Sequence, residues 1–202
     1  LTEYYAERRW DENGRPSLLH LTTPVEAGEM EVPKTPLQEI EPPELQVALD
    51  LDADLETVVE VAREVHAGGA RIVEAGTPVI KRHGVDRLLP ALRSACPNAI
   101  LVADLKTMDV GNLEARIAFR KGADVVAVMG IGSDRKITDA LSEASRMGKA
   151  ILVDLMDCPD PIQRLEELKL KYAGREEELA FCLHRGISEQ LRGRGIYDSV
   201  QL

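Results

Sequence analysis

From Leu45 onward, short apolar runs alternate with amphipathic segments. The apolar runs are rich in Val, Ile and Leu, which is typical of strands buried on both faces of a parallel sheet. They are Leu45–Leu51, Arg71–Gly76, Ala99–Lys106, Ala123–Gly130, Ala150–Met156 and Leu179–His184. Four of the segments between them carry apolar residues at helical spacing, namely Leu55–Val65, Val85–Leu92, Ile137–Ala144 and Ile162–Leu168. The pattern therefore predicts six consecutive strand–helix units.

The first 44 residues show little such periodicity. They contain six prolines, which remove backbone donors and disfavour helix at the preceding residue. We therefore divide the chain into an N-terminal extension with a Pro-rich linker, residues 1–44, and a barrel domain, residues 45–202.

Repeated strand–helix units of this length build either a (β/α)₈ barrel or an open doubly wound sheet. The position of the polar residues favours the barrel, because one follows or ends nearly every predicted strand. These residues are Asp50, Glu74, Asp104, Lys106, Asp154 and His184. In a barrel all carboxyl ends of the strands converge on one mouth, whereas in an open sheet the outer ones lie far apart.

The composition excludes several classes of protein function and location. With 25 Lys+Arg against 35 Asp+Glu the formal charge is −10, which argues against nucleic acid or an anionic membrane as partner. No apolar run is long enough to span a membrane or to act as a signal peptide. The three cysteines show no C-x-x-C spacing and are expected to be thiols, so a cytoplasmic protein is expected.

The third predicted strand ends in two charged residues, Asp104 and Lys106, whose side chains point the same way because they are two positions apart. A structural salt bridge is one interpretation. However, Glu74 and Asp50 are predicted at the same rim, where several carboxylates repel one another unless a cation lies among them. Carboxylates with water and substrate oxygens are ligands that Mg²⁺ prefers.

Two further features leave alternatives open. His184 is either a core histidine or, at the mouth, a residue that transfers protons, since its ordinary pKa lies near neutral pH. The loop Gly130–Asp134 could cradle a phosphate at a helix N-terminus. We favour a simple turn there, with Ser133 or Asp134 as the N-cap of the next helix.

Several of these stretches resemble successive strand motifs of 3-hexulose-6-phosphate synthases. The similar stretches are Leu45–Asp50, Glu74–Pro78 with Ile80 and Lys81, Val102–Asp109 with Gly111, and Val153–Leu155. These synthases belong to the orotidine 5′-monophosphate decarboxylase group, together with 3-keto-L-gulonate-6-phosphate decarboxylases. The resemblance implies a (β/α)₈ TIM barrel of that type. Residues 45–202 offer room for only about six of the eight units, so the last two are expected to be missing.

The resemblance also implies roles for individual residues. Glu74 and Asp104 match carboxylates that bind Mg²⁺, and Lys106 matches a lysine beside the oxyanion of the enediolate. Asp50 matches a residue that contacts substrate hydroxyls, and His184 matches a proton-transferring histidine. Asp109 resembles a residue that reaches into the neighbouring subunit's site, which implies a homodimer with shared active sites. The implied enzyme is an aldehyde-lyase that joins formaldehyde to D-ribulose 5-phosphate, as in the ribulose monophosphate pathway.

Two alternatives remain at this stage. In the segment His184–Ser188, Ile187 favours a synthase, because the decarboxylases have arginine there, whereas Arg185 matches the decarboxylases. The chain could instead be a catalytically silent barrel fragment that serves as an interaction module, since an exposed parallel edge is unfavourable alone.

Overall fold

A computed structural model describes residues 34–186 of this protein. This part contains six parallel strands that pair in chain order, so that β1 and β6 form the two edges of the sheet. The strands are β1 (Gln46–Leu49), β2 (Ile72–Ala75), β3 (Ile100–Thr107), β4 (Val125–Met129), β5 (Ala150–Asp154) and β6 (Leu179–Cys182).

Six α-helices connect the strands, and a 3₁₀ turn, Pro36–Glu39, precedes β1. The helices are α1 (Leu55–Ala67), α2 (Thr77–His83), α3 (Val85–Ala95), α4 (Gly111–Arg120), α5 (Arg135–Met147) and α6 (Pro161–Lys171). Of the helices in the described part, none has the length and apolar character that crossing a membrane requires.

The strand order decides between the two folds that the repeat pattern allows. Each strand pairs in parallel with the next one along the chain, whereas in a doubly wound sheet the order reverses at a switch point. An unbroken consecutive order is that of a (β/α) barrel. The described residues therefore form six consecutive strands of such a barrel, as predicted, with helices after the first five. The helix expected after β6 lies outside the described residues.

Alternation along each strand separates an outer face from an inner one. The outer face packs against the helices, and it forms a large aliphatic core that includes Leu101, Val126, Leu88 and Ile137. The inner face carries a smaller apolar cluster at the amino ends of the strands, composed of Ile72, Ile100, Val102, Val125 and Ala150. The interior below the carboxyl ends is thus apolar.

The 3₁₀ turn closes the amino end of this interior. Leu37 and Ile40 pack against the inner cluster, and the turn begins with a capping box in which the Thr35 backbone N–H donates to Gln38 Oε1 at 2.7 Å. The sequence pattern treated these residues as part of the linker. The predicted domain boundary after residue 44 stays a prediction, and residues 1–33 and 187–202 lie outside the described residues.

All six predicted strands are present, with ends shifted by a few residues, but two helices were not predicted. Helix α2 is only seven residues long. Hydrophobic periodicity does not predict helix α4, because apolar residues occur on both of its faces. Leu113 and Ile117 are exposed, while Ala115 and Phe119 are buried. The amphipathic periodicity of α4 is therefore blurred.

Helix α4, which follows the loop after β3, is held closely against α5. A Cβ at Gly111 would lie 2.0 Å from the Lys136 carbonyl oxygen, so only glycine allows this approach. Deeper in the interface the buried Glu143 of α5 accepts hydrogen bonds from Arg116 of α4, at 3.0 Å to Nε, and from Arg146. Burial alone would raise the pKa of Glu143, but the two guanidinium groups outweigh it and lower that pKa to about 2.

We predict that protonation of Glu143 in this interface lowers the free energy of unfolding at low pH. A carboxylate whose pKa is lowered on folding stabilises the fold above its unfolded pKa and loses that contribution as pH falls through its folded pKa. The Glu143 contribution should therefore be lost between pH 4.5 and about 2. Glu143→Gln should lower the free energy of unfolding at pH 7 by about 1–2 kcal/mol and remove this part of the pH dependence.

Urea denaturation from pH 7 to pH 2.5 measures both effects. Asp139→Asn is the matched control, because Asp139 lies on the same helix and its partner Arg135 is exposed; it should change the unfolding free energy by less than about 0.5 kcal/mol. Equal stability of Glu143→Gln and the wild type throughout this range would contradict the prediction.

Candidate active site

The polar residues at the mouth are the last inward-facing residues of their strands. Side chains on a strand alternate, so Glu74 follows Ile72, Asp104 follows Val102, and Asp154 follows Leu152 on the inner face. They line a cavity of about 510 Å³. The same cavity is lined by Asp50 after β1, Lys106 of β3, Cys182 of β6 and His184 after β6. The apolar interior therefore ends in a ring of ionisable groups.

The end of β3 is irregular. Its pairing with β4 shifts between Ala103 and Thr107, and Lys106 has a φ of 48°. Left-handed backbone costs a residue with a Cβ about 1–2 kcal/mol, and such strain commonly occurs at functional sites. This bulge, rather than regular alternation alone, brings Lys106 back over Asp104.

Lys106 is held between two carboxylates. Its Nζ donates to Asp104 Oδ2 at 2.7 Å and to Asp154 Oδ2 at 3.3 Å. Partial burial lowers the pKa of Lys106, but the hydrogen bond to Asp104 and the charges of both aspartates outweigh burial and raise it. The site therefore contains a permanent, oriented ammonium group.

Asp104 uses only one of its two oxygens. Oδ2 accepts from Lys106. The single proton of Thr77 Oγ1 is shared between Oδ2 at 2.7 Å and the Asp104 carbonyl oxygen at 2.8 Å, whereas Oδ1 is buried and has no hydrogen-bond partner among the described residues. A buried carboxylate oxygen without a donor is costly. The Oδ1 atom is therefore suited to a positively charged ligand.

Two more carboxylates adjoin Asp104. Burial raises the pKa of Glu74, and the charges of Asp104 and Asp50 raise it further, although Gln46 donates a hydrogen bond to Glu74. The pKa of Asp50 is likewise raised, by desolvation and by Asp104. Asp50 lies so close to Gly76 that a Cβ there would lie 1.9 Å from Asp50 Oδ1. The rim thus concentrates negative charge.

His184 is oriented by Asp154. Its Nδ1 lies 2.8 Å from Asp154 Oδ2, and this hydrogen bond raises the pKa of the imidazole against the opposing effect of burial. Asp154 in turn accepts from the Met156 backbone N–H at 2.9 Å. The pKa of Asp154 is lowered, because His184 and this N–H outweigh the effect of its burial. A histidine fixed by a carboxylate is the usual arrangement for proton transfer.

The structure brings together five of the six residues predicted for the site, namely Asp50, Glu74, Asp104, Lys106 and His184. Asp109 does not join them within one chain: it is exposed, in the loop between β3 and α4. Thr77 and Cys182 were not predicted at the site, and Asp154 was predicted at the mouth but without a role of its own. Asp154 and Cys182 carried a usable signal, because each occupies an inward position at the end of its strand.

The loop Gly130–Asp134 is a turn filled by protein groups. Gly132 has a φ of 79°, and the buried Lys136 donates from Nζ to the carbonyl oxygens of Ile131 and Ser133, both at 2.7 Å. Asp134 precedes the first residue of α5 as the predicted N-cap, but it makes no side-chain capping bond. It pairs instead with Arg164 and Lys171. This geometry favours the turn over a phosphate cradle.

The donor set at the mouth fits a hard cation. Glu74 and Asp104 offer carboxylate oxygens, one of which, Asp104 Oδ1, is buried and receives no hydrogen bond from the part of the chain that the structure describes. The pKa of Glu74 is raised partly by its neighbouring carboxylates. A divalent cation would relieve both conditions. Glu74 and Asp104 are therefore the residues that could hold Mg²⁺.

Comparisons with known proteins agree with this fold. A family model described as orotidine 5′-phosphate decarboxylase / HUMPS family matches residues 43–190. The chain is 41% identical over 152 residues to the bifunctional enzyme Fae/Hps of Methanosphaera stadtmanae, covering 75% of this chain and 36% of that protein. The chain thus spans about a third of the length of such curated relatives.

Two solved structures are similar in both sequence and fold. A crystal structure of 3-hexulose-6-phosphate synthase superposes with a TM-score of 0.66 at 39% identity, over 73% of this chain and 67% of that one. A 3-keto-L-gulonate-6-phosphate decarboxylase from Vibrio cholerae superposes with a TM-score of 0.63 at 28% identity, over 76% of this chain and 67% of that one. The chain is thus similar to members of two enzyme classes.

We predict that Asp154 sets the pKa of His184. Asp154→Asn removes the charge that favours the imidazolium, so the pKa of His184 should fall. Titration of the imidazole Cε1–H signal by NMR measures this, with His184→Gln used to assign the signal. Asp139→Asn, remote from the mouth, should leave the titration unchanged. An unchanged His184 titration in Asp154→Asn would contradict the geometry described above.

Proposed function

The chain belongs to the orotidine 5′-phosphate decarboxylase / HUMPS family, and on this premise we propose that it carries out a Mg²⁺-dependent aldol reaction. In this reaction formaldehyde and D-ribulose 5-phosphate form 3-hexulose 6-phosphate. The proposal rests on one observation above all: the Lys106–Asp104 pair, with its buried free oxygen, lies in the same cavity as His184. The similarity to a synthase of this reaction supports it.

The residues of the mouth suit the chemistry of an enediolate. The reaction removes a proton from C1 of the ketose, forms a bond between C1 and the formaldehyde carbon, and gives a proton to the former aldehyde oxygen. His184, oriented by Asp154, is placed to move protons. The Lys106 ammonium stabilises negative charge on the ketose oxygens, and Asp50 at the rim can accept hydrogen bonds from sugar hydroxyls.

Glu74 and Asp104 are the proposed ligands of the metal. Magnesium bound there would supply a Lewis acid that polarises the ketose oxygens. Asp104 also orients Lys106, because its Oδ2 accepts a hydrogen bond from Lys106 Nζ at 2.7 Å. Thr77 shares that oxygen, so the side chain of Asp104 is fixed even before a ligand binds.

The second candidate is a decarboxylase of the 3-keto-L-gulonate-6-phosphate type. It is favoured by Arg185, which follows His184 as in those enzymes, and by the similarity to a solved decarboxylase. Loss of CO₂ from a β-keto acid also generates an enediolate, so the same lysine and carboxylates would serve. The third possibility, a silent interaction module, predicts neither activity.

We also propose that the active unit is a homodimer. On the outside of the β3 end and α4, four large apolar side chains are exposed to between 41% and 55%, namely Met108, Val110, Leu113 and Ile117. Several exposed apolar side chains within ten residues of one another favour an interface here. Asp109 lies within the same segment and would be carried toward the site of a second copy.

A paired assay with both substrates tests the proposed function. With formaldehyde and ribulose 5-phosphate we expect product only when Mg²⁺ is present, and no release of CO₂ from 3-keto-L-gulonate 6-phosphate. Glu74→Gln and Asp104→Asn should each lower turnover by roughly 10²-fold or more. Glu167→Gln, an exposed carboxylate on α6, is the control and should be fully active.

The outcomes separate the candidates. Release of CO₂ without condensation would identify the decarboxylase, and the absence of both activities in a folded protein would favour the interaction module. Full activity of Glu74→Gln or Asp104→Asn after chelation of the metal would contradict the assignment of these ligands.

The shared site can be tested by complementation. Asp109→Ala and Lys106→Ala should each be inactive alone, but a mixed dimer contains one site with both wild-type groups. Random mixing should therefore restore up to roughly a quarter of the wild-type activity. Verified heterodimers without activity would contradict a site shared between subunits.

A further inference from the structure

The ends of β5 and β6 bring a second set of potential metal ligands together. One ligand atom from each of Asp154, Cys182 and His184 lies within 4.8 Å of the others. Asp154 is buried, while Cys182 and His184 are half-buried, and all three line the mouth cavity. The proposed aldol reaction uses the imidazole and the carboxylate but gives the thiol no part.

The chemistry of this set differs from that of the carboxylates on the other side of the mouth. Glu74 and Asp104 offer oxygen only, which suits Mg²⁺. A thiolate, an imidazole and a carboxylate are the ligands of Zn²⁺ and of related thiophilic cations. Three protein ligands with a fourth position open toward a cavity are also typical of reactive rather than structural zinc sites.

We propose that Asp154, Cys182 and His184 form a second, softer metal site that binds Zn²⁺ or a similar thiophilic cation and thereby blocks the catalytic histidine. This goes beyond the proposed function, because it assigns the site an inhibitory ligand. It needs no change in the fold: tetrahedral zinc ligands lie about 3–4 Å apart, so small side-chain rotations from the present spacing are sufficient.

The surroundings show how binding would proceed. The Cys182 thiol is protonated in the free protein, since burial and the charge of Asp154 raise its pKa to about 11. Binding therefore forms the sulfur–metal bond and releases the thiol proton to solvent. Lys106 opposes the cation, but it retains its shorter contact of 2.7 Å to Asp104 when Asp154 turns to the metal.

Cobalt(II) is a suitable probe, because thiolate ligation gives it an intense near-ultraviolet absorption band. We expect the wild-type protein to develop this band on titration with Co²⁺, to lose it on addition of Zn²⁺, and to keep it in excess Mg²⁺. Cys182→Ser should abolish the band, and His184→Ala should weaken Co²⁺ binding roughly tenfold or more. Cys158→Ser, a half-buried cysteine outside the set, should behave as wild type.

Several results would overturn the proposal. A band that persists in Cys182→Ser, or that is lost in Cys158→Ser, would exclude Cys182 as the ligand. A band lost in Glu74→Gln would place Cys182 with the Glu74–Asp104 pair, so that no separate site exists. None of these readouts depends on catalytic activity.

A second experiment requires only the wild-type protein. Alkylation with iodoacetamide, followed by mass spectrometry of the cysteine peptides, should show that Zn²⁺ protects Cys182 while Mg²⁺ does not, and that neither protects Cys158. Equal modification of Cys182 with and without Zn²⁺ would contradict the proposal even if the Cys182→Ser variant failed to fold.

Discussion

The ion pair between Lys106 and Asp104 fixes the end of β3, and much of the site depends on it. The pair forms where the register with β4 shifts after Ala103 and where Lys106 has a left-handed backbone. The 2.7 Å contact and the nearby Asp154 offset the cost of that backbone. Lys106 and Thr77 both contact Oδ2 of Asp104, while the other oxygen has no donor among residues 34–186. The irregular end of β3 thus supplies both the oriented Lys106 ammonium group and the carboxylate oxygen Oδ1 of Asp104.

The apolar interior beneath this pair makes its electrostatics effective. Ile72, Ile100 and Val102 lie below the mouth, and the 3₁₀ turn closes the opposite end through Leu37 and Ile40. In such surroundings desolvation is the largest cause of the raised pKa of Glu74. The same low polarity strengthens the interaction of Asp154 with His184. The electrostatic interactions of the charged residues at the mouth therefore depend on the aliphatic interior beneath them.

Sequence periodicity was sufficient to predict the strands and most of the site. Side chains alternate along a strand, and the buried residues show which positions point inward, so Glu74, Asp104 and Asp154 are expected at the inner face. Periodicity was insufficient where tertiary contacts override local pattern. Helix α4 exposes Leu113 and Ile117, which conceals its amphipathic character. The bulge at Lys106 leaves no mark in a strand of alternating residues.

The neighbours of Cys182 in the folded protein were likewise not predicted from the sequence. From the sequence Cys182 was treated as one of three thiols, although it lies two residues before His184 in the last predicted strand and so on the same face. Its proximity to Asp154 arises from the parallel pairing of β5 and β6, in which Asp154 lies opposite Cys182. The register between β5 and β6, which the sequence spacing does not give, therefore brings Cys182 next to Asp154.

The most direct test of this account is the location of a bound hard cation. Diffraction from crystals of the protein grown with Mn²⁺ in place of Mg²⁺, recorded for anomalous scattering, shows where the metal lies. We expect a peak that contacts the Glu74 carboxylate and Asp104 Oδ1, with the Lys106 pair intact. A fully occupied manganese elsewhere, with Asp104 Oδ1 still without a ligand, would contradict the account.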